Sequence, residues 1–147
     1  MPTKFKAADG RSYVLSLTFG HARKLQQAMA IDITTQRDWT QLMESMLDRL
    51  ACIATLVGDQ VTANGLTVDD FIETLADQAA AEAASESLID EMLFFYRKYG
   101  MPELATLTEK QRQMVQEAKA KFRSSDFQQR LDNEIAKVLN NGAQLLS

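Results

Sequence analysis

Lys4-Phe5-Lys6-Ala7-Ala8-Asp9-Gly10-Arg11-Ser12-Tyr13-Val14-Leu15-Ser16-Leu17 decides the fold class, because its apolar residues alternate where the rest of the chain recurs at helical steps. Phe5 stands between two lysines, the pattern of a half-buried strand. Asp9-Gly10 is a tight-turn signal, since glycine accepts the positive φ such turns need. Beyond the turn, Tyr13, Leu15 and Leu17 fall on one face and Ser12, Val14 and Ser16 on the other. This predicts a β-hairpin. Two strands alone are marginal in water, so the hairpin must pack on helices or gain strands from a partner.

Everything after Leu17 reads as helix. Thr18 is placed as an N-cap, followed by Ala22, Leu25 and Met29 at helical spacing. Ile31-Asp32-Ile33 breaks the period as a connector. Trp39, Leu42, Met43, Met46, Leu50, Ile53, Ala54 and Val57 then form one continuous stripe at steps of three and four. Gly58 either ends that helix with a left-handed cap or kinks it before Ala63. Asn64-Gly65 is a stop. Thr67 and Asp70 have capping-box spacing, and Leu66 and Phe71 stand at the two positions of a hydrophobic staple, so a helix starts at Val68. Ala79 to Ala84 lead into a helix carrying Leu88, Ile89, Met92, Leu93, Phe95, Tyr96 and Tyr99, which Gly100 and Pro102 terminate. Thr108 and Gln111 repeat the capping-box spacing before Met114, Val115, Ala118 and Phe122. Ser124-Ser125-Asp126 reads as a break, and Phe127, Leu131, Ile135, Val138 and Leu139 give a narrow helix-pairing seam. The expected fold is α+β, mostly α. A hairpin packs on about four helices over residues 1–100, and a helical extension occupies residues 101–147.

Composition narrows the function classes. The chain has 147 residues, net charge −4, one histidine and one cysteine. Residues 59–96 carry nine carboxylates and no Lys or Arg. Residues 1–100 hold 9 Lys/Arg against 14 Asp/Glu, while residues 101–147 hold 7 against 6. That balance offers no general attraction to nucleic acid or anionic membrane. The apolar runs fall short of the roughly 20 residues of a bilayer span, and Met1-Pro2-Thr3-Lys4-Phe5-Lys6 lacks a signal peptide's apolar core. A cytoplasmic protein without disulfides is expected.

Reactive side chains are scarce. His21 has no identifiable nucleophile or orienting group, and Cys52 lies beside an apolar stripe, where a thiol behaves as a small hydrophobe. The carboxylates lack both the Glu-x-x-His spacing of carboxylate di-metal bundles and the alternation of a calcium loop. Neither catalytic residues nor a metal or cofactor is expected. A solvated acidic face explains the carboxylates, with a basic protein partner as the alternative. Lys119, Lys121 and Arg123 around Phe122 read as a mixed-sign helix face. Positions 92, 95, 96 and 99 can share a face while Phe94 points elsewhere, so most of these aromatics read as core, and any that reach an interface would be its anchors.

Phe5-x-x-Ala8-Asp9-Gly10-Arg11-x-Tyr13, Leu17-Thr18, Ile31-Asp32-Ile33, Asp59-Gln60-Val61, Gly65-Leu66-Thr67-x-Asp69-Asp70-Phe71 and Phe94-Phe95 together resemble the tail assembly chaperones of siphophages and prophages, over residues 4–97. The family usually carries Trp where Tyr13 stands and Gly where Ala30 stands. The resemblance implies a non-enzymatic protein of the host cell cytoplasm. It would bind the long helical tape measure protein and keep it soluble until tail-tube subunits, a further candidate partner, polymerise around it. The expected partner-binding residues are Phe94, Phe95, Tyr96 and Tyr99, with Leu131, Ile135, Val138 and Leu139 as a second surface. The alternatives are a structural virion component (a head–tail connector or tail-terminator subunit) and a small helical regulator binding nucleic acid through residues 110–123.

Overall fold

The alternation from Phe5 to Leu17 produces a hairpin. The computed structural model describes residues 3–123 and 125–146. Strand β1 (Thr3–Lys6) pairs antiparallel with β2 (Ser12–Leu15), with Phe5 opposite Tyr13. Gly10 takes φ 88° at the turn, and the Asp9 carboxylate accepts the Arg11 backbone N–H at 3.0 Å. Phe5, Tyr13, Leu15 and Leu17 are buried, as their shared face requires. The Phe5 and Tyr13 rings stack at 5.6 Å, and Phe71 meets Tyr13 edge-on at 4.9 Å.

Among the described residues eight helices follow: α1 (Phe19–Met29), α2 (Gln36–Glu44), α3 (Met46–Leu56), α4 (Gly58–Ala63), α5 (Val68–Glu73), α6 (Gln78–Lys98), α7 (Pro102–Arg123) and α8 (Ser125–Leu146). The local signals act where they were read. Thr18 caps α1, its hydroxyl accepting the His21 backbone N–H at 3.3 Å. Thr67 and Asp70 form a reciprocal capping box at α5, each bond 3.1 Å. The Thr67 backbone N–H, and then its hydroxyl, hold the exposed Asp70 carboxyl below the usual carboxylate range. Gly100 closes α6 at φ 68°. The alanines from 79 to 84 are the first turns of α6 itself.

Two helix readings are corrected. The stripe from Trp39 to Val57 is not one helix. Ser45 is extended (φ −118°, ψ 111°), ending α2 and capping α3 through the Asp48 N–H at 3.2 Å. Val57 interrupts again, and Gly58 opens α4 without a left-handed cap. The broken phase leaves Met46 exposed although it stands on the stripe. The described part of residues 1–100 consequently holds six helices. Thr108 is not an N-cap either: it is buried inside α7, already under way from Pro102. Its hydroxyl accepts from Trp39 Nε1 at 2.9 Å and donates to the Leu104 carbonyl at 2.7 Å.

The chain divides into two compact units, Met1–Lys110 and Gln111–Ser147. The first has a continuous core that includes Leu25, Leu42, Ile53, Phe71, Leu75, Leu88, Met92, Phe95 and Tyr96. The hairpin and α3 pack on α6. Arg49 ties three helices together. Its guanidinium donates to the Leu42 and Met43 carbonyls at 3.0 and 2.7 Å, and to Ser85 Oγ at 2.9 Å. A cation among the last carbonyls of α2 also complements that helix's dipole. Leu104 and Thr108 bring the first turns of α7 into this core.

The second unit comprises the later turns of α7 and α8. Of the break expected at Ser124-Ser125-Asp126, Ser125 and Asp126 open α8, while Ser124 and the side chains of Lys121, Phe122, Arg123 and Phe127 lie outside the described residues. Among the described residues, no helix is long and apolar enough to cross a membrane.

Candidate partner-binding surface

Helix α6 sorts its aromatics by angle. Successive residues turn about 100° around a helix axis, so four aromatics within six positions cannot share one environment. Phe95 and Tyr96 are buried, and Phe95 lies edge-on to Tyr96 at 5.8 Å. The Tyr96 hydroxyl donates to the Ile33 carbonyl at 2.6 Å, 63 residues away in sequence. Burial raises its pKa above the ordinary tyrosine value, and the charge of Asp32 adds to the rise. These two residues are core and present nothing to a partner. Tyr99 is half-buried at the end of α6, 4.0 Å from the Phe19 ring and 4.8 Å from Phe95. Phe94, on the opposite side of the helix, is 51 % exposed. Of the aromatic set, Phe94 and part of Tyr99 remain accessible.

Helix α8 is different. Leu131, Ile135, Val138 and Leu139 are 50, 52, 70 and 67 % exposed. At 100° per residue they fall within about 100° of arc, the width of an ordinary core-facing stripe. Arg130, Asp132, Glu134 and Lys137 lie among them in sequence, so the face is framed by both signs of charge. On α7, Met114 is 63 % exposed, although its spacing to Val115 and Ala118 is that of one apolar face.

Sequence reasoning missed exposed apolar residues on the first unit: Phe19, Leu47 and Val68. Each sits within the first turn of its helix, at Phe19 in α1, Leu47 in α3 and Val68 in α5. The signal that could have found them is position: each lies one or two residues after a capping residue, ahead of the core-facing stripe that begins one turn later.

The scarce reactive groups are structural in their placement. His21 Nδ1 accepts the Thr18 backbone N–H at 3.3 Å, completing the α1 capping box. Cys52 is buried in α3, and burial, with a contribution from the Asp48 charge, pushes its thiol up to about 12. Asp59, Asp69, Asp70, Glu73 and Asp77 are solvent-exposed, whereas Glu91 is buried and accepts from Thr3 Oγ1 at 2.6 Å. Among the described residues, no group of three or more His, Cys, Asp or Glu is placed to hold a metal ion. No protein-family model, curated protein or solved structure matches the chain.

Proposed function

We propose that this chain is a binding protein that works without covalent chemistry, through exposed apolar helix faces. More particularly, we read it as a tail assembly chaperone of the siphophage type whose client is the tape measure protein. The observation that carries the binding half of this reading is the uncovered stripe Leu131, Ile135, Val138 and Leu139 on α8. The likeness over residues 4–97 supplies the client class.

Magnitudes favour reversible capture. Fully burying one aliphatic side chain is worth about 1.5–3 kcal/mol, so four half-exposed ones supply roughly 4–8 kcal/mol gross. Association itself costs about 4–15 kcal/mol. The stripe alone therefore holds a client only weakly. Several copies along one long helical client would gain by multivalency and still release it, as a temporary solubiliser must.

The test is co-expression of the full chain with a siphophage tape measure protein. The wild-type chain is expected to raise the client's soluble fraction and to co-purify with it. Leu131→Ser/Ile135→Ser/Val138→Ser, at solvent-facing positions, is expected to fold normally and lose both effects. A wild-type chain that neither solubilises nor co-purifies with the client overturns the reading.

A further inference from the structure

Antiparallel strands alternate between residues that bond inward to their partner and residues whose N–H and C=O point outward. In β2 the outward residues are Ser12 and Val14, and both groups of Val14 are engaged by one side chain. Gln60 Oε1 accepts the Val14 N–H at 2.8 Å, and Gln60 Nε2 donates to the Val14 carbonyl at 2.8 Å. The carboxamide reproduces the donor–acceptor pair that a neighbouring strand would present.

The sequence around that contact makes it consequential. Exposed sheet edges are usually protected by charged side chains, proline or a bulge. Ser12-Tyr13-Val14-Leu15-Ser16-Leu17 contains none of the charges or prolines that do this. The segment is also self-complementary. Placed antiparallel to its own copy about Val14, it sets Val14 against Val14 and Ser12 against Ser16, with no like charges opposed. The guard sits on a short helix that Val61 seats in the core. Helix α4 spans only Gly58–Ala63, has no side-chain N-cap, and packs on α3 and α5.

We propose that Gln60 is an edge guard. It keeps the outer edge of β2 closed against antiparallel pairing with β2 of a second copy, and an outward shift of α4 opens that edge. The sheet would then run through four strands across a two-fold axis. This inference does not rest on the chaperone reading.

The experiment measures the mass of the full-length chain by light scattering across a concentration series, with far-UV circular dichroism as the folding check. Gln60→Ala removes two competing hydrogen bonds, so self-association is expected to tighten at least about tenfold relative to wild type. Adding Ser12→Lys/Ser16→Lys places like charges across the pairing and is expected to return the variant to wild-type behaviour. Gln60→Met, which keeps length and helix propensity, carries the same expectation if Gln60→Ala fails to fold. A folded variant with wild-type mass at every concentration overturns the proposal. So does association that the two lysines leave unchanged, or loss of folding in both variants, which would make Gln60 a determinant of the fold.

Discussion

Thr108→Val is the sharpest perturbation of this structure. It keeps the β-branched shape and removes one hydroxyl. Trp39 Nε1–H, now 2.9 Å from Thr108 Oγ1, then faces a methyl group in a place where both residues are buried. A buried donor left unmet costs about 1–3 kcal/mol. The Leu104 carbonyl stays within the ladder of α7 and loses only its supplementary bond from Thr108. A destabilisation of about 2 kcal/mol follows, a large share of a domain stability of about 5–15 kcal/mol. It corresponds to a fall of about 6 °C in Tm. Urea unfolding followed by circular dichroism measures the loss. Trp39 is the sole tryptophan, so its emission reports the same site. Thr108→Ser keeps the acceptor and is expected to lose about 1 kcal/mol or less. In the double variant Trp39→Phe/Thr108→Val the two losses are expected to be less than additive, since each single change removes the same bond. Thr108→Val within about 0.5 kcal/mol of wild type would refute the claim that this bond fastens α7 to the core.

The Tyr13 hydroxyl is buried without a hydrogen-bond partner, so Tyr13→Phe is expected to be neutral or stabilising by up to about 1 kcal/mol in urea unfolding; a clear loss would mean that the hydroxyl has a role. Ala30 ends α1 at φ 55°, a left-handed conformation that costs a residue bearing Cβ about 1 kcal/mol, so Ala30→Gly should raise Tm by a few degrees, and a lower Tm would contradict it. Burial pushes the Cys52 thiol to about 12. At pH 8 it should react with a thiol-specific reagent only as fast as the protein opens, and rapid stoichiometric labelling under native conditions would disprove this. Asp70 has a lowered folded-state pKa. Its contribution to stability is present above the unfolded carboxylate pKa and is lost as pH falls through the lower folded value, so Asp70→Asn should flatten the acid limb of the stability–pH profile. An unchanged acid slope would remove the capping carboxylate from the account.

The outcome divides by distance along the chain. The hairpin, its Asp9-Gly10 turn, the Thr18 and Thr67 caps and the stops at Gly65 and Gly100 are all present. In each, the group that satisfies a backbone bond, or the glycine that permits a conformation, lies within about four residues, or within the twelve that separate paired residues of the hairpin, so the sequence alone contains the whole interaction. The split of the aromatics was half legible: helical phase set Phe94 apart from Phe95, Tyr96 and Tyr99, but could not say which side would be covered.

The tertiary structure decided the rest. Thr108 has the spacing of a helix cap, yet Trp39, 69 residues away, claims its hydroxyl within a helix. Met46 keeps the period of a core stripe and is exposed because Ser45 resets the phase. Leu131, Ile135, Val138 and Leu139 have the pattern of a buried seam, and their exposure depends on whether another surface packs over them. Short-range hydrogen bonding and backbone sterics are written residue by residue, whereas burial is a property of what else arrives at the same place.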